Sequence, residues 1–202
     1  MIVERPMDDG VFIVTDIEAD GPLPGTNSMR AFASVAVDLA GVERGSFEAV
    51  LEPLDDASPD PNTLAWFMTE PEAWAAATDG ARPAEEVMRG YVDWVNGFQG
   101  GRTFAAYPLA FDGAWIDHYL RRFTPHALVE GHYAQGRLFD GSGLCLKSFV
   151  AGFTGREAWD CSPKTLPQGW FGGIPHTHRA IDDARGYARL LATLRKRPPL
   201  EA

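Results

Sequence analysis

The run "GVFIVTDIEAD", Gly10 to Asp20, sets two carboxylates inside the most β-prone stretch of the chain. Its β-branched and aromatic residues, bounded by Gly and Pro, predict a central strand. Side chains alternate across a strand, so Asp16 and Glu18 point to the same side of the sheet. Paired acids on a strand end open to water need nothing more. On a central strand they lose hydration and repel each other, and a bound cation is what resolves the conflict.

Two more segments with period-2 alternation, Arg30 to Leu39 and Gly45 to Leu54, are separated by the turn-like "AGVERG" and extend the first strand into an antiparallel meander. A Pro/Asp-rich loop, "DDASPDPN", then leads to predicted helices over Thr63–Met68, Pro71–Thr78 and Pro83–Phe98. "RTFAAY" predicts a fourth strand and "FDGAWIDHYLRRF", Phe111 to Phe123, a helix after it. Ser142–Phe153 and His178–Arg195 predict the last two helices, with an irregular Pro/Gly-rich segment from Thr154 to Pro175 between them. Strands followed by alternating helices and strands give an α/β fold on a mixed sheet. The 202 residues, 45% apolar, suit one globular unit with a core over about 10–195 and flexible ends at 1–9 and 196–202. Cys145 and Cys161 form no CxxC pair, and the N-terminal run carries four charges before its first apolar stretch. A soluble protein of the reduced cytoplasm, with neither signal peptide nor membrane span, is the expectation.

Helical periodicity sorts the remaining acids. Asp112 falls in line with Trp115, Ile116, Tyr119 and Phe123 on the apolar stripe of its helix, whereas Asp117 shares the polar side with Gly113 and Arg121. Asp112 is therefore expected to face inward and Asp117 outward, although an acid in a first helical turn also suits the helix dipole on its own. In "PHTHRAIDDAR", Pro175 to Arg185, Asp183 lies on the stripe of Ala180, Ala184, Tyr187, Leu191 and Leu194, and Asp182 lies with Arg179, Gly186 and Arg189. Asp183 is the inward acid. His178 stands five residues before it, about 140° around an ideal helix, and so meets Asp183 only from the first turn or the preceding loop. Thr177 is the expected N-cap. His176, Cys145, Cys161 and Arg179 receive no functional role.

"DIE", then "FD" at Phe111 and Asp112, then "HRAIDDA" from His178 to Ala184 resemble, in order and spacing, the three motifs of the DEDDh 3′-5′ exonuclease superfamily. The last matches H-x-A-x-x-D at His178, Ala180 and Asp183. "NTLAWFMTEPEAW" and "PHTHRAIDDA" are most similar to a bacterial and phage branch of 3′-5′ exoribonuclease-like proteins. The resemblance covers nearly the whole chain and implies an RNase H-like fold, a five-stranded mixed sheet flanked by helices with the acids converging at one edge. The sequence departs from many relatives in "AAYPLAFD", where Tyr107 and Pro108 occupy a region in which an Asn or His precedes the "FD".

The resemblance further implies Asp16, Glu18, Asp112 and Asp183 as ligands of two Mg²⁺ or Mn²⁺ ions, with His178 as the general base. Two such ions, roughly 3.5 to 4 Å apart, stabilise the attacking and leaving oxygens of a phosphodiester, and hard oxygen donors suit those metals. Ala19, Asp20, Gly21 and Trp66 are candidate contacts for a 3′-terminal nucleotide, Trp66 with Phe67 as a stacking pair or as core. The expected partner is a single-stranded nucleic-acid 3′ end, RNA favoured over DNA, and a homodimer is plausible by analogy. The net charge of −10 speaks against phosphate binding, but it is unevenly spread. Residues 1–100 hold 19 acids and 5 bases, whereas residues 101–202 hold 9 acids and 13 bases, a net +4. A DNA-directed proofreading or repair exonuclease and a silent binding module on the same fold are the alternatives.

Overall fold

The computed structural model describes residues 10–131 and 134–196. The expected flexible ends fall outside the described residues, apart from Lys196, which caps the last helix. Strands β1 (Val11–Ala19), β2 (Met29–Asp38) and β3 (Glu43–Val50) form the meander. Helices α1 (Pro61–Phe67), α2 (Pro71–Thr78) and α3 (Ala84–Asn96) precede β4 (Arg102–Ala106), and α4 (Leu109–Phe123) precedes β5 (Leu144–Cys145). Helix α5 (Leu146–Thr154), three 3₁₀ turns and α6 (Ala180–Arg195) complete the described chain. The strand order is β3-β2-β1-β4-β5, with β1, β4 and β5 parallel and β2 and β3 antiparallel to their neighbours. None of the described helices is long and apolar enough to cross a membrane.

Several boundaries differ from expectation for local reasons. The segment predicted as one helix from Ser142 begins instead with β5, whose two residues pair with Ala105 and Ala106. A two-residue strand has no periodicity to read. Helix α1 starts at Pro61, not Thr63, because Asp60 accepts a hydrogen bond from Thr63 N at 2.8 Å and proline suits the first helical position. Helix α4 begins two residues early, at Leu109, which leaves Asp112 still within its first turn. β3 runs from Glu43 to Val50 and not to Leu54, since a register shift at Ala36/Val37 extends the pairing upstream and Leu51 bridges to Arg82 instead. Helix α6 starts at Ala180 with Arg179 at the cap, so Thr177 is not the N-cap. His178 adopts a left-handed φ of 56°, turning the chain before the helix can begin.

The alternation of β1 divides the core. Ile13 and Ile17 pack with Phe32, Tyr91, Trp115 and Tyr119 beneath α3 and α4. Val14 packs with Ala33, Val35, Ala105, Leu190 and Leu191 beneath α5 and α6. Asp16 and Glu18 share the face of Val14, and their partners across β2 are Ala33 and Ala31. Helix α6 lies against β1 and β2 and brings Ala180 and Ala184, both buried, to this face. Methyl groups on both sides let the helix approach the sheet closely.

The chain leaving β1 is held as a tight loop. The Asp20 carboxylate accepts from Ser28 N at 2.6 Å, and Asp20 N donates to Ser28 O at 2.9 Å. Asn27 accepts from Leu23 N at 3.0 Å and donates to Ser58 O at 2.8 Å. A Cβ at Gly21 would collide with the side-chain amide of Asn27, which is tied at both ends. Gly21→Ala is therefore expected to destabilise the fold by about 1–3 kcal/mol, read from urea unfolding midpoints against the parent protein.

Candidate active site

Three elements deliver the acids. β1 is central, so Asp16 is buried and Glu18, one pleat further along, is half-buried. Asp112 comes from the first turn of α4 and Asp183 from the first turn of α6, each 3% exposed. All four meet at the C-terminal ends of β1 and β4, the end of a parallel pair where ligands are usually bound. One carboxylate oxygen each of Asp16, Glu18 and Asp183 lie within 4.8 Å of one another. Asp117 points away and bonds Arg121 at 2.7 Å and Leu128 N at 2.7 Å.

The electrostatics follow from this crowding. Burial and the neighbouring charges of Asp112, Glu18 and Asp183 hold the Asp16 carboxyl well above the usual carboxylate range. Burial, then Asp183 and Asp112, push Glu18 up to about 8. Burial pushes Asp112 up to about 7 against the opposing pull of backbone N–H groups at Asp112 and Ile17. Tyr187, also beside these acids, is raised by burial and then by Asp16. Two carboxylate oxygens, Oδ2 of Asp112 and Oδ2 of Asp183, are buried without a hydrogen-bond partner. Such orphaned acceptors among like charges are the signature of a cation site.

The segment before α6 arranges the histidines. His178 lies in the preceding loop, as its spacing from Asp183 requires, with its ring edge-on to Trp66 at 4.9 Å and to His176 at 4.4 Å. Burial, followed by the nearby His176, lowers the His178 pKa and favours the neutral imidazole. His176 was given no role by its sequence position, yet its Nδ1 lies 2.8 Å from Asp183 Oδ1. Thr177 N donates to the same oxygen at 3.2 Å. Oδ1 is thereby engaged, whereas Oδ2 is buried without a hydrogen-bond partner. Nothing in the spacing signals this contact, because it depends on the left-handed turn at His178.

The candidate nucleotide contacts separate. Ala19, Gly21 and Trp66 line a cleft of about 230 Å³ beside Glu18, together with Phe67 and Phe111. Trp66 is 38% exposed at its rim, whereas Phe67 is buried core. Asp20 does not contribute its side chain, which is 1% exposed, bonded to Ser28 N and paired with Arg30 at 3.8 Å. Phe111, 41% exposed and next to Asp112, lines the same cleft and was not among the candidates read from the sequence. Exposure at the helix start was its only signal. Tyr107, in the departing "AAYPLAFD" segment, stacks on Tyr187 at 5.0 Å and donates to Cys161 O at 2.6 Å, a packing role.

Two outcomes follow. Raised carboxyl pKa values mean that the folded, metal-free protein binds more protons than the unfolded chain between the ordinary 4.5 and about 8 for Glu18, and between 3.8 and about 7 for Asp112. Stability of the metal-free protein is expected to fall as pH rises through that window, and Mg²⁺ or Mn²⁺ to restore it most near its upper end; melting curves with EDTA and with metal check both signs. His176→Ala is expected to weaken Mn²⁺ binding about 10–100-fold by freeing Asp183 Oδ1, as measured by calorimetric titration.

No protein-family model matches the chain, and none of the curated proteins matches it. Solved structures do. A 3′-exonuclease that recognises the histone mRNA stem-loop superposes with a TM-score of 0.65 at 11% identity, over 93% of this chain and 82% of that one. The nuclease domain of 3′hExo, a DEDDh family member bound to rAMP, gives 0.60 at 11% identity over 92% and 90%. Exonuclease I of E. coli with a dT13 oligonucleotide gives 0.65 at 17% identity over 93% of this chain and 41% of that one. The chain thus has the RNase H-like α/β fold that these exonucleases share.

Proposed function

We propose that the protein is a divalent-metal-dependent 3′-5′ exonuclease that removes nucleotides from single-stranded ends, with RNA preferred. The observation that carries this reading is the convergence of Asp16, Glu18, Asp112 and Asp183 with two buried, partnerless carboxylate oxygens among them. Hard oxygen donors of this kind suit Mg²⁺ or Mn²⁺. When bound, two such ions supply the positive charge that the attacking and leaving oxygens of a phosphodiester require.

The chain's own groups do the rest. Asp16, whose neighbouring charges are Glu18, Asp112 and Asp183, would hold the ions together with these three carboxylates. His178, kept neutral by burial and held by the Trp66 edge, is the proton acceptor for the attacking water. The apolar cleft between Trp66 and Phe111 takes the terminal base, and Ala19 and Gly21 bring main chain close to its sugar. Preference for RNA is supported by the two similar structures that concern histone mRNA and rAMP, of which this chain covers 82% and 90%. The likeness to exonuclease I with bound dT13 favours a DNA-directed exonuclease as the second reading.

Matched 3′-labelled single strands of RNA and DNA, incubated with Mg²⁺ or Mn²⁺ and with EDTA as control, test the proposal. Mononucleotides released from free but not blocked 3′ ends, faster from RNA, are the expected products. His178→Ala is expected to lower kcat by about 10²–10⁴-fold and Asp16→Asn to abolish cleavage. Strands that stay intact at every metal concentration, or cleavage unaffected by Asp16→Asn, would sink the assignment.

A further inference from the structure

A second cavity, of about 300 Å³, also opens at the acid cluster. It reaches His178 and Asp183, whereas the Trp66 cleft reaches Glu18, and the two share no lining residue. Its volume lies at the lower end of the range that holds small ligands, about 300–1,000 Å³, so it suits a single nucleotide unit. Phe171 and Tyr187, edge to face at 6.3 Å, and Ile174 give it an apolar wall. At its rim stands Lys164, exposed and without an ion pair among the described residues. Gln168 donates its amide to Pro163 O at 3.2 Å and keeps its side-chain carbonyl as an acceptor.

The wall is built from the segment between α5 and α6, whose only regular pieces are the 3₁₀ turns Ala158–Asp160, Pro163–Thr165 and Gln168–Phe171. Irregular stretches of this length in a compact fold are uncommon and usually serve function. This one is firmly held. The Arg156 guanidinium donates to Asp160 O at 3.1 Å and Thr165 O at 3.2 Å, and Thr165 Oγ1 accepts from Ser162 N at 3.1 Å. Thr193 of α6 ties the last turn through Trp170 O at 3.2 Å. The acceptor, the apolar wall and the main chain that carries Lys164 are thus held in advance of any ligand, which lowers the entropic cost of binding.

Granting the exonuclease reading, on which this inference rests, we propose that the cavity is the subsite for the nucleotide on the 5′ side of the cleaved bond. Lys164 meets the phosphate that continues the strand, while Phe171 and Tyr187 pack against the base or sugar. Asp182 and Asp183 also line the cavity and repel phosphate, which favours the strand's phosphate at Lys164. The terminal nucleotide in the Trp66 cleft and its neighbour in this cavity together place the bond between them over the carboxylates.

Two uridine substrates separate the possibilities in the Mn²⁺-loaded protein: a penta-uridylate, and uridine 5′-phosphate p-nitrophenyl ester, which has a terminal nucleotide but only a p-nitrophenyl leaving group, with no phosphate, upstream of the cleaved bond. Lys164→Ala is expected to raise KM for the penta-uridylate about tenfold more than for the ester, and to reduce the salt dependence of oligonucleotide binding by about one phosphate contact. Lys164→Arg is expected to restore most of the loss. An equal effect on both substrates, or none on either, would overturn the subsite while leaving the exonuclease reading intact. A wild-type protein that cleaves neither substrate would overturn that reading, and the subsite with it.

Discussion

Four carboxylates gathered where water is largely excluded cannot all ionise unless positive charge is placed among them. That constraint governs the molecule. Burial drives Asp16, Glu18 and Asp112 toward their protonated forms, and the charges of neighbouring acids act in the same direction on Asp16 and Glu18. A fold that keeps such a cluster without a cation gives up stability at neutral pH. The arrangement is therefore intelligible as a binding site and not as packing, in contrast to Asp38 and Asp56, whose charges are met by Arg44 and Arg122 at the surface.

The sheet is what makes the gathering rigid. β1 is paired with β2 along its length and with β4 as far as Thr15, so its acids are held by the β2 ladder just past the end of the β4 pairing. Asp112 and Asp183 arrive from helices on opposite faces, and each helix is anchored to the sheet. Tyr119 of α4 accepts from Met29 N at 2.9 Å, and α6 buries Leu190, Leu191 and Leu194 against the strands. The ligand positions therefore depend on core packing more than on loop conformation. The loops supply what differs between the two sides of the cluster, aromatic rings near Glu18 and histidines near Asp183.

Much of this was legible in the sequence because periodicity is a strong signal. The same-face placement of Asp16 and Glu18 follows from strand alternation, and the inward turn of Asp112 and Asp183 follows from apolar stripes that long helices enforce. What escaped has a common cause, in that it depends on contacts with no period. β5 is too short to alternate, and it is a strand only because β4 offers it an edge. The His176–Asp183 contact arises from one left-handed residue. Asp20 stood among the candidate nucleotide contacts, but the loop it begins closes on Ser28 and Arg30 and turns the carboxylate inward.

The alanines on the face of the acids bear on how such a site can change. Ala31 and Ala33 of β2 and Ala180 and Ala184 of α6 are all buried, and they stand where sheet and helix come together around Asp16, Glu18 and Asp183. The separation of the carboxylates is thereby coupled to the thickness of a layer of single methyl groups. Branched side chains in that layer would lift the helix and spread the carboxylates without touching any of them, so drift at inert positions is enough to dissolve the cluster while the architecture survives.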